Sequence, residues 1–304
     1  MSGGKESVAD SRKAIELRVI DSPEAVAAVE ELERQVWPGP KCVPPHIFLA
    51  VVHNGGLLVG AYDGDELVGY VFGFIGIYEA EKGVGVRHCS HQLGVHPEYQ
   101  NRGIGYKLKR AQWQLVRQQG LDLITWTYDP LESRNAYLNI SKLGAVCNTY
   151  LENEYGEMQD ELNVGIPSDR FMVYWWVNSK RVAQRLSRKS RRRLDLAHFL
   201  AADAEVINST KLNDDGWPVP SKDRIDKIED PKTRPILTLF EIPSDFQGMK
   251  VADIELAREW RMYSRTIFKL FFYHGYMVTD MVFLPGNNPR SYYVLSQGDS
   301  TLGG

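Results

Sequence analysis

At 304 residues, with 43% hydrophobic and 25% charged content, the chain has the composition of a globular protein with room for a sizeable core. A formal net charge of -3 argues against nucleic-acid binding as the overall design, and no apolar run of about 18 residues offers a membrane span. Three cysteines, Cys42, Cys89 and Cys147, are odd in number and widely spaced, which reads as a reduced, cytoplasmic protein rather than a disulfide framework.

Residues 1–14 lack the apolar segment of a signal peptide and read as a disordered terminus. IELRVI (15–20) alternates as a half-buried strand does. Ser22 and Pro23 then supply a cap and a first-turn proline for a helix carrying Ala25, Val29, Leu32 and Val36, stopped by Pro38-Gly39-Pro40. PPHIFLAVVHNGG (44–56) predicts a shorter helix. Residues 57–76 predict two strands around the hairpin signal Asp63-Gly64-Asp65, and RHCSHQLGV (87–95) another strand. Ile104, Leu108, Ala111 and Leu115 mark one face of a helix ended by Gly120. Strand LDLITWTY (121–128), helix SRNAYLNISKLGA (133–145) and strands near 145–151 and 170–177 complete an α/β layer arrangement.

The composition then shifts. KRVAQRLSRKSRRRL (180–194) carries eight basic residues, and 179–223 reads as a basic, polar connector. Aromatics do not interleave with that run, so a solvated helix is favoured over a nucleic-acid surface. A second module, 224–296, predicts a strand at 235–243, a helix at 255–275 and strands at 276–284 and 291–295, followed by a disordered tail at 297–304. Its order repeats that of 121–177. On its helix, Trp260, Ile267 and Phe271 read as core, with Arg258, Arg261 and Arg265 on the rim.

The most informative stretch is GVHPEYQNRGIGYKLKRAQ (94–112). It places Gln100, Gly103 and Gly105 between a strand and an amphipathic helix. Amides at a helix start lack partners and face a positive dipole, so a phosphate satisfies both. Glycine admits the ligand to the main chain, and Arg102 and Lys107 add cationic reach. The spacing is neither that of a dinucleotide fold nor that of a Walker loop.

Gln-x-x-Gly-x-Gly after a strand ending SHQLGV resembles the signature of the GNAT acyl-CoA N-acyltransferases. The resemblance covers 15–178 and implies a GNAT fold, a central mixed sheet flanked by helices, with the C-terminal α/β module similar to part of the same fold. It implies acyl-CoA as co-substrate, acetyl-CoA first and succinyl-CoA as the variant. Gln100 and the amides of Asn101, Arg102, Gly103, Ile104, Gly105 and Tyr106 would hold the pyrophosphate, and the main chain of Leu93 and Val95 the pantetheine. A second family motif is looser: Ser133 stands for its Asn, Ala136 and Gly144 match, and Ala145 replaces its Phe. Ile140 stands where the family carries its Tyr acid. Tyr137, one α-helical turn earlier, is the substitute candidate, and Asn135 a candidate for the pantetheine or the substrate.

An attacking amine must lose a proton, and His91 is the candidate base, with Asp122 and Tyr128 as alternatives. A structural histidine is the competing reading of His91. His88 and His91 lie on opposite strand faces, so no metal is expected, and Cys89 and Cys147 read as buried small hydrophobes. The expected function is acyl transfer to a primary amine of a small molecule by direct attack, in a chain for which homodimerisation is admitted. Amino-acid N-succinylation and a non-catalytic CoA sensor are the alternatives.

Overall fold

The computed structural model describes residues 14–37, 43–80, 83–156, 165–187, 193–221 and 224–298. Cys42, the stop at Pro38-Gly39-Pro40, the middle of the basic run and most of both expected disordered ends lie outside the described residues. The described chain forms two compact units. One comprises residues up to Ile75 with Ser90–Leu115; the other comprises Gly76–Cys89 and everything from Val116 onward. No helix among the described residues is long and apolar enough to cross a membrane.

The first unit contains β1 (Glu16–Val19), α1 (Pro23–Val36), α2 (Pro45–His53), β2 (Leu57–Asp63), the first part of β3 (Glu66–Ala80), the last part of β4 (Gly83–Val95) and most of α3 (Ile104–Gln118). Ser22 caps α1 by accepting from the Ala25 amide at 3.3 Å, and Pro23 opens the helix. Antiparallel pairing joins β1 to β2 and β2 to β3. Strand alternation gives the sheet two apolar faces. Val26, Val29, Leu32 and Phe48 of α1 and α2 pack on Tyr70 and Phe72, while Ile104 and Leu108 of α3 pack on Val59, Val68 and Val71.

The second unit takes the start of β4 and adds β5 (Leu123–Tyr128), α4 (Ser133–Ala136) running into a π-helical turn (Tyr137–Lys142), β6 (Val146–Leu151) and β7 (Arg170–Trp176). Then follow α5 (Lys180–Leu186), α6 (Leu196–Ala201), three two-residue strands, β8 (Glu205–Val206), β9 (Lys211–Leu212) and β10 (Pro218–Val219), and α7 (Asp226–Glu229). The chain ends with β11 (Leu237–Ile242), α8 (Phe246–Ala252), α9 (Ile254–Tyr273), β12 (Tyr276–Leu284) and β13 (Arg290–Gln297), so Gln297 belongs to a strand. The strand order of this unit is β4-β5-β7-β6-β12-β13-β11-β8. Outward from the β6–β12 seam the two sides match strand for strand. The pairs β4–β5 and β8–β11 are parallel, and all pairs between them are antiparallel. The seam pairs Cys147 with Val278, and directly after each of these residues the strand shifts register against its inner neighbour. Gly144 and Gly275, at φ +78° and +77°, end the helices before β6 and β12 in the left-handed form that favours glycine.

The expected connector is structured where it is described. Arg181 Nε donates to the Gly144 carbonyl at 2.9 Å, and Arg185 donates to Ser141 O at 3.1 Å and to Asp280 at 2.5 Å. These two cations therefore serve the fold rather than a solvated face. Arg261 is a second correction: the guanidinium expected on the rim is 1% exposed and paired with Asp129, beneath the end of β5. Arg265 grips Asp169 with both Nε and Nη2, at 2.8 and 2.7 Å. Burial alone raises the Asp129 pKa; Arg261 and Arg170 reverse that and hold it below the ordinary value. Around these pairs Phe171, Phe268, Phe272 and Tyr293 form one aromatic cluster, so one core unites β7 with the C-terminal elements.

Removing one partner of such a pair strands a buried charge. Arg261→Ala is expected to lower the unfolding free energy of the second unit by about 3–5 kcal/mol, read as a drop in urea midpoint, with Asp129→Asn in the same chain recovering part of it. Glu132 gives a pH prediction. Its carboxyl, accepting from Gln247 Nε2 at 2.5 Å, is pushed up to about 7 by burial and by the negative charge of Asp129. A folded-state carboxyl titrating that high stabilises the fold fully below its unfolded value, about 4.3, and loses that contribution as pH rises through 7. The wild-type urea midpoint is expected to fall between pH 5 and pH 8, and Glu132→Gln to flatten the fall.

Candidate active site

In the first unit, the last residues of β4 divide between two faces. Ser90 accepts from Lys109 of α3 at 3.0 Å, and Leu93 and Val95 pack with Ile104 and Leu108. Between them, His91 and Gln92 both turn to the α1–α2 side. The His91 ring lies against Phe72 and Phe74, at centroid distances of 6.2 and 5.9 Å, and Gln92 Nε2 donates to Glu33 at 2.8 Å. Two successive side chains on one face break strict alternation, as a bulge does, and re-aim His91.

After β4, a 3-10 turn (Pro97–Tyr99) leads to the loop. Gln100 Nε2 reaches back to the Val95 carbonyl at 3.5 Å, so its amide braces the turn. Asn101 at φ +64° and Gly103 at φ +78° are both left-handed, and no atom lies within 4 Å of where a Gly103 side chain would start. The first helical bond runs from Lys107 N to Gly103 O at 3.1 Å. Helix geometry therefore leaves the amides of Ile104, Gly105 and Tyr106 without intrahelical acceptors. The first turn holds no acidic residue; Arg102 and Lys107 are exposed, the former 4.6 Å over the Tyr99 ring. The result is a concentrated, unblocked positive field suited to a diphosphate.

Sequence reasoning missed the polar group beside His91. Glu33 is 2% exposed, and its carboxylate accepts from Tyr70 OH at 3.0 Å, Gln92 Nε2 at 2.8 Å and the Val43 amide at 3.1 Å. The signal was present: Glu33 follows Val26 and Val29 at helical spacing, so a charge stands on the apolar stripe of α1. The Gly94 backbone passes so close to this group that an added Cβ would lie 2.9 Å from the Tyr70 ring and 3.3 Å from Trp37. Burial lowers the pKa of His91, opposed by the Glu33 charge, so the imidazole is neutral and able to accept a proton near pH 7.

The other candidates belong to the second unit. Asn135 is exposed on α4. The π-helical winding, with Leu143 N bonding Leu138 O at 3.0 Å, separates Tyr137 from Ile140: Ile140 is buried, while Tyr137 stays partly open. Tyr137 OH accepts from Arg193 Nη1 at 2.7 Å. Of the alternative bases, Asp122 accepts from Asn178. Tyr128 is buried against Tyr293 OH at 3.0 Å, its pKa raised by burial. Burial likewise pushes the Cys147 thiol up, which suits a core residue and not a nucleophile. Among the described residues no group of His, Cys, Asp and Glu is placed to hold a metal ion.

Residues 54–140, from the end of α2 to the π turn, match the family model described as the acetyltransferase (GNAT) domain. That match, to a GNAT domain, covers less than a third of the chain. A curated relative, the N-alpha-acetyltransferase RimI of Mycobacterium tuberculosis, is 41% identical over 90 residues, 29% of this chain and 53% of that protein. The chain thus spans about half the length of the curated relative it matches. Arabidopsis thaliana NAA60 in complex with acetyl-CoA is similar at 19% identity, over 54% of this chain and 99% of that one, with a TM-score of 0.43. The ribosomal-protein-S18-alanine N-acetyltransferase of Escherichia coli is similar at 13% identity, over 54% and 94%, with a TM-score of 0.42. The matched residues include β2–β4, the Gly103 loop and α3.

A side chain at position 103 strains a left-handed backbone by about 1–2 kcal/mol and covers the amides. Gly103→Val is expected to keep the fold with a small loss of stability and to weaken coenzyme A binding, measured by calorimetry, at least tenfold.

Proposed function

We propose that this protein moves an acetyl group from acetyl-CoA to a primary amine of a small molecule, in the cytoplasm, by direct attack of the amine on the thioester. The observation that carries the reading is the helix mouth at 101–106, glycine-opened, cation-flanked and without an acidic residue in its first turn. Its amides are the proposed pyrophosphate donors, and the main chain of Leu93 and Val95 the pantetheine partner. The match to a GNAT domain over the same residues supports both assignments.

An amine with a pKa near 10.4 must shed a proton before it attacks, and His91 is the proposed acceptor. Glu33, Tyr70 and Gln92 act behind it as positioning residues, holding the α1–α2 side of the strand. The departing thiol, with a pKa of about 8.5, needs little help; Tyr137 is the proposed proton donor and Asn135 a proposed polar contact, both from the second unit. Holding amine and thioester together supplies much of the acceleration without any dedicated group.

Thiol release with DTNB over a panel of amines, with acetyl-CoA and succinyl-CoA compared, tests the reading. Wild type is expected to turn over acetyl-CoA and Gly103→Val to lose turnover. Coenzyme A bound tightly without thiol release for any pairing favours a CoA sensor instead. Because burial lowers the His91 pKa from about 6.5, kcat/KM is expected to stay level above that pH and to fall only on the acid side, a limb that His91→Gln removes while lowering the plateau about 10²-fold or more.

A further inference from the structure

The second unit contains a cavity that the acyl-transfer reading does not use. It lies at the end of β11, the strand that matches β5 across the seam, and encloses about 300 Å³, at the small end of ligand pockets. Its origin is a break in the outer parallel pair. β8 follows β11 at Glu205–Thr238 and Val206–Leu239. The side chain of Asn208 then replaces the ladder, donating Nδ2 to Glu241 O at 2.9 Å and accepting the Glu241 amide at 2.7 Å. Past this bridge Thr210 starts the β9–β10 hairpin, which forms one wall and is pinned to α9 by Trp260 Nε1 donating to Pro218 O at 2.7 Å. The carboxyl end of a parallel strand pair is where open α/β sheets present ligand crevices.

Its lining carries one ion pair, Glu241 with Arg290, and one further carboxylate, Asp245. Glu241 is held by Arg290, Nε to Oε1 at 2.7 Å and Nη2 to Oε2 at 2.5 Å, with the Thr210 amide at 3.4 Å. That pair leaves Arg290 Nη1 without a protein acceptor among the described residues, on a side chain 43% exposed. Asp245, an exposed residue of the lining, accepts from the Gly248 amide through Oδ1 at 2.8 Å, and its Oδ2 has no protein donor among the described residues. Trp217 adds an apolar wall. One free guanidinium edge and one free carboxylate oxygen, in a space of this volume, match a molecule bearing both an anionic and a cationic group.

We infer that this cavity is a second ligand site that binds a free α-amino acid, its carboxylate on Arg290 and its ammonium on Asp245. The site is wired to residues within the GNAT match. Ser244, on the cavity wall, bonds Ser291 Oγ at 2.9 Å, and Ser291 bonds Ser133 Oγ at 2.7 Å, at the first residue of α4. The assignment stands independently of the acetyl-transfer reading, since it uses no residue of the Gly103 loop.

Calorimetry on the full chain, with the proteinogenic L-amino acids titrated singly up to millimolar concentration, tests it. At least one is expected to bind, with its decarboxylated amine and its deaminated hydroxy acid each weaker by about tenfold or more, the loss of one charged hydrogen bond. Asp245→Asn keeps the cap of α8, because Asn caps as Asp does, and removes the charge. It is expected to leave the thermal midpoint unchanged and weaken the amino acid about tenfold. Arg290→Lys retains a cation for Glu241 while losing the fork, and is expected to weaken it similarly. Absence of binding by every amino acid, equal binding of either single-charge analogue, or undiminished binding by folded Asp245→Asn would each overturn the assignment.

Discussion

The pairing of Asp129 with Arg261 ties the end of β5 to helix α9. A guanidinium with almost no access to water survives only because its partner is fixed, and that partner terminates β5. Asp129 also sets the next turn, its Oδ1 accepting the Leu131 amide at 2.9 Å just before α4 begins. Helix α9 is therefore a buttress without which the end of β5 and the start of α4 have no defined place. The C-terminal elements share the core that orients candidate residues Asn135 and Tyr137. They are not an appendage hung on a complete catalytic domain.

The matching halves of the second unit show what makes a strand arrangement chemical. Each has a parallel pair, a helix closed by a left-handed glycine, and two antiparallel strands. What differs is the connection between the paired parallel strands. From β4 to β5 the chain passes through the Gly103 loop and the long helix α3, whose free amides concentrate positive potential. From β8 to β11 it passes through a small hairpin and the single turn α7, with no comparable amide array among the described residues. The same parallel pairing is thus followed by a helix mouth with free amides in one case and by a small mixed-charge cavity in the other. Sheet topology supplies the crevice; the connection decides what enters it.

That distinction also explains what was legible in the sequence. Helix-stop glycines, alternating strands and the Gln-x-x-Gly-x-Gly spacing are local, and local backbone sterics fix them: Gly103, Gly144 and Gly275 all adopt the positive φ their positions imply. The burial of Arg261 was not legible, because it depends on a carboxylate 132 positions away. Arg181 and Arg185 were hidden for the same reason, since a basic run reads as solvated until carbonyls from β12 and the π turn are brought against it. The π turn itself widens a helix whose residues suit an α-helix, and it undoes the argument that Tyr137 shares a face with Ile140. Asn208 is the subtlest case: a lone amide side chain imitates a strand's backbone, and no propensity foretells it.

The seam between β6 and β12 carries the last consequence. Without the C-terminal elements, β6 is an exposed edge with unpaired amides and carbonyls, the kind of surface through which chains pair with copies of themselves. Here the chain pairs that edge with its own β12, and register shifts beside Cys147 and Val278 bend both strands away immediately afterwards. The edge is occupied intramolecularly, so β6 is not available to a second copy. The new outer strand, β8, is two residues long and is succeeded by the Asn208 bridge, which blunts it as a pairing template. Repeating half of a fold has moved the vulnerable edge outward to a strand too short to exploit. A dimer of this protein therefore cannot form by continuation of the sheet through β6.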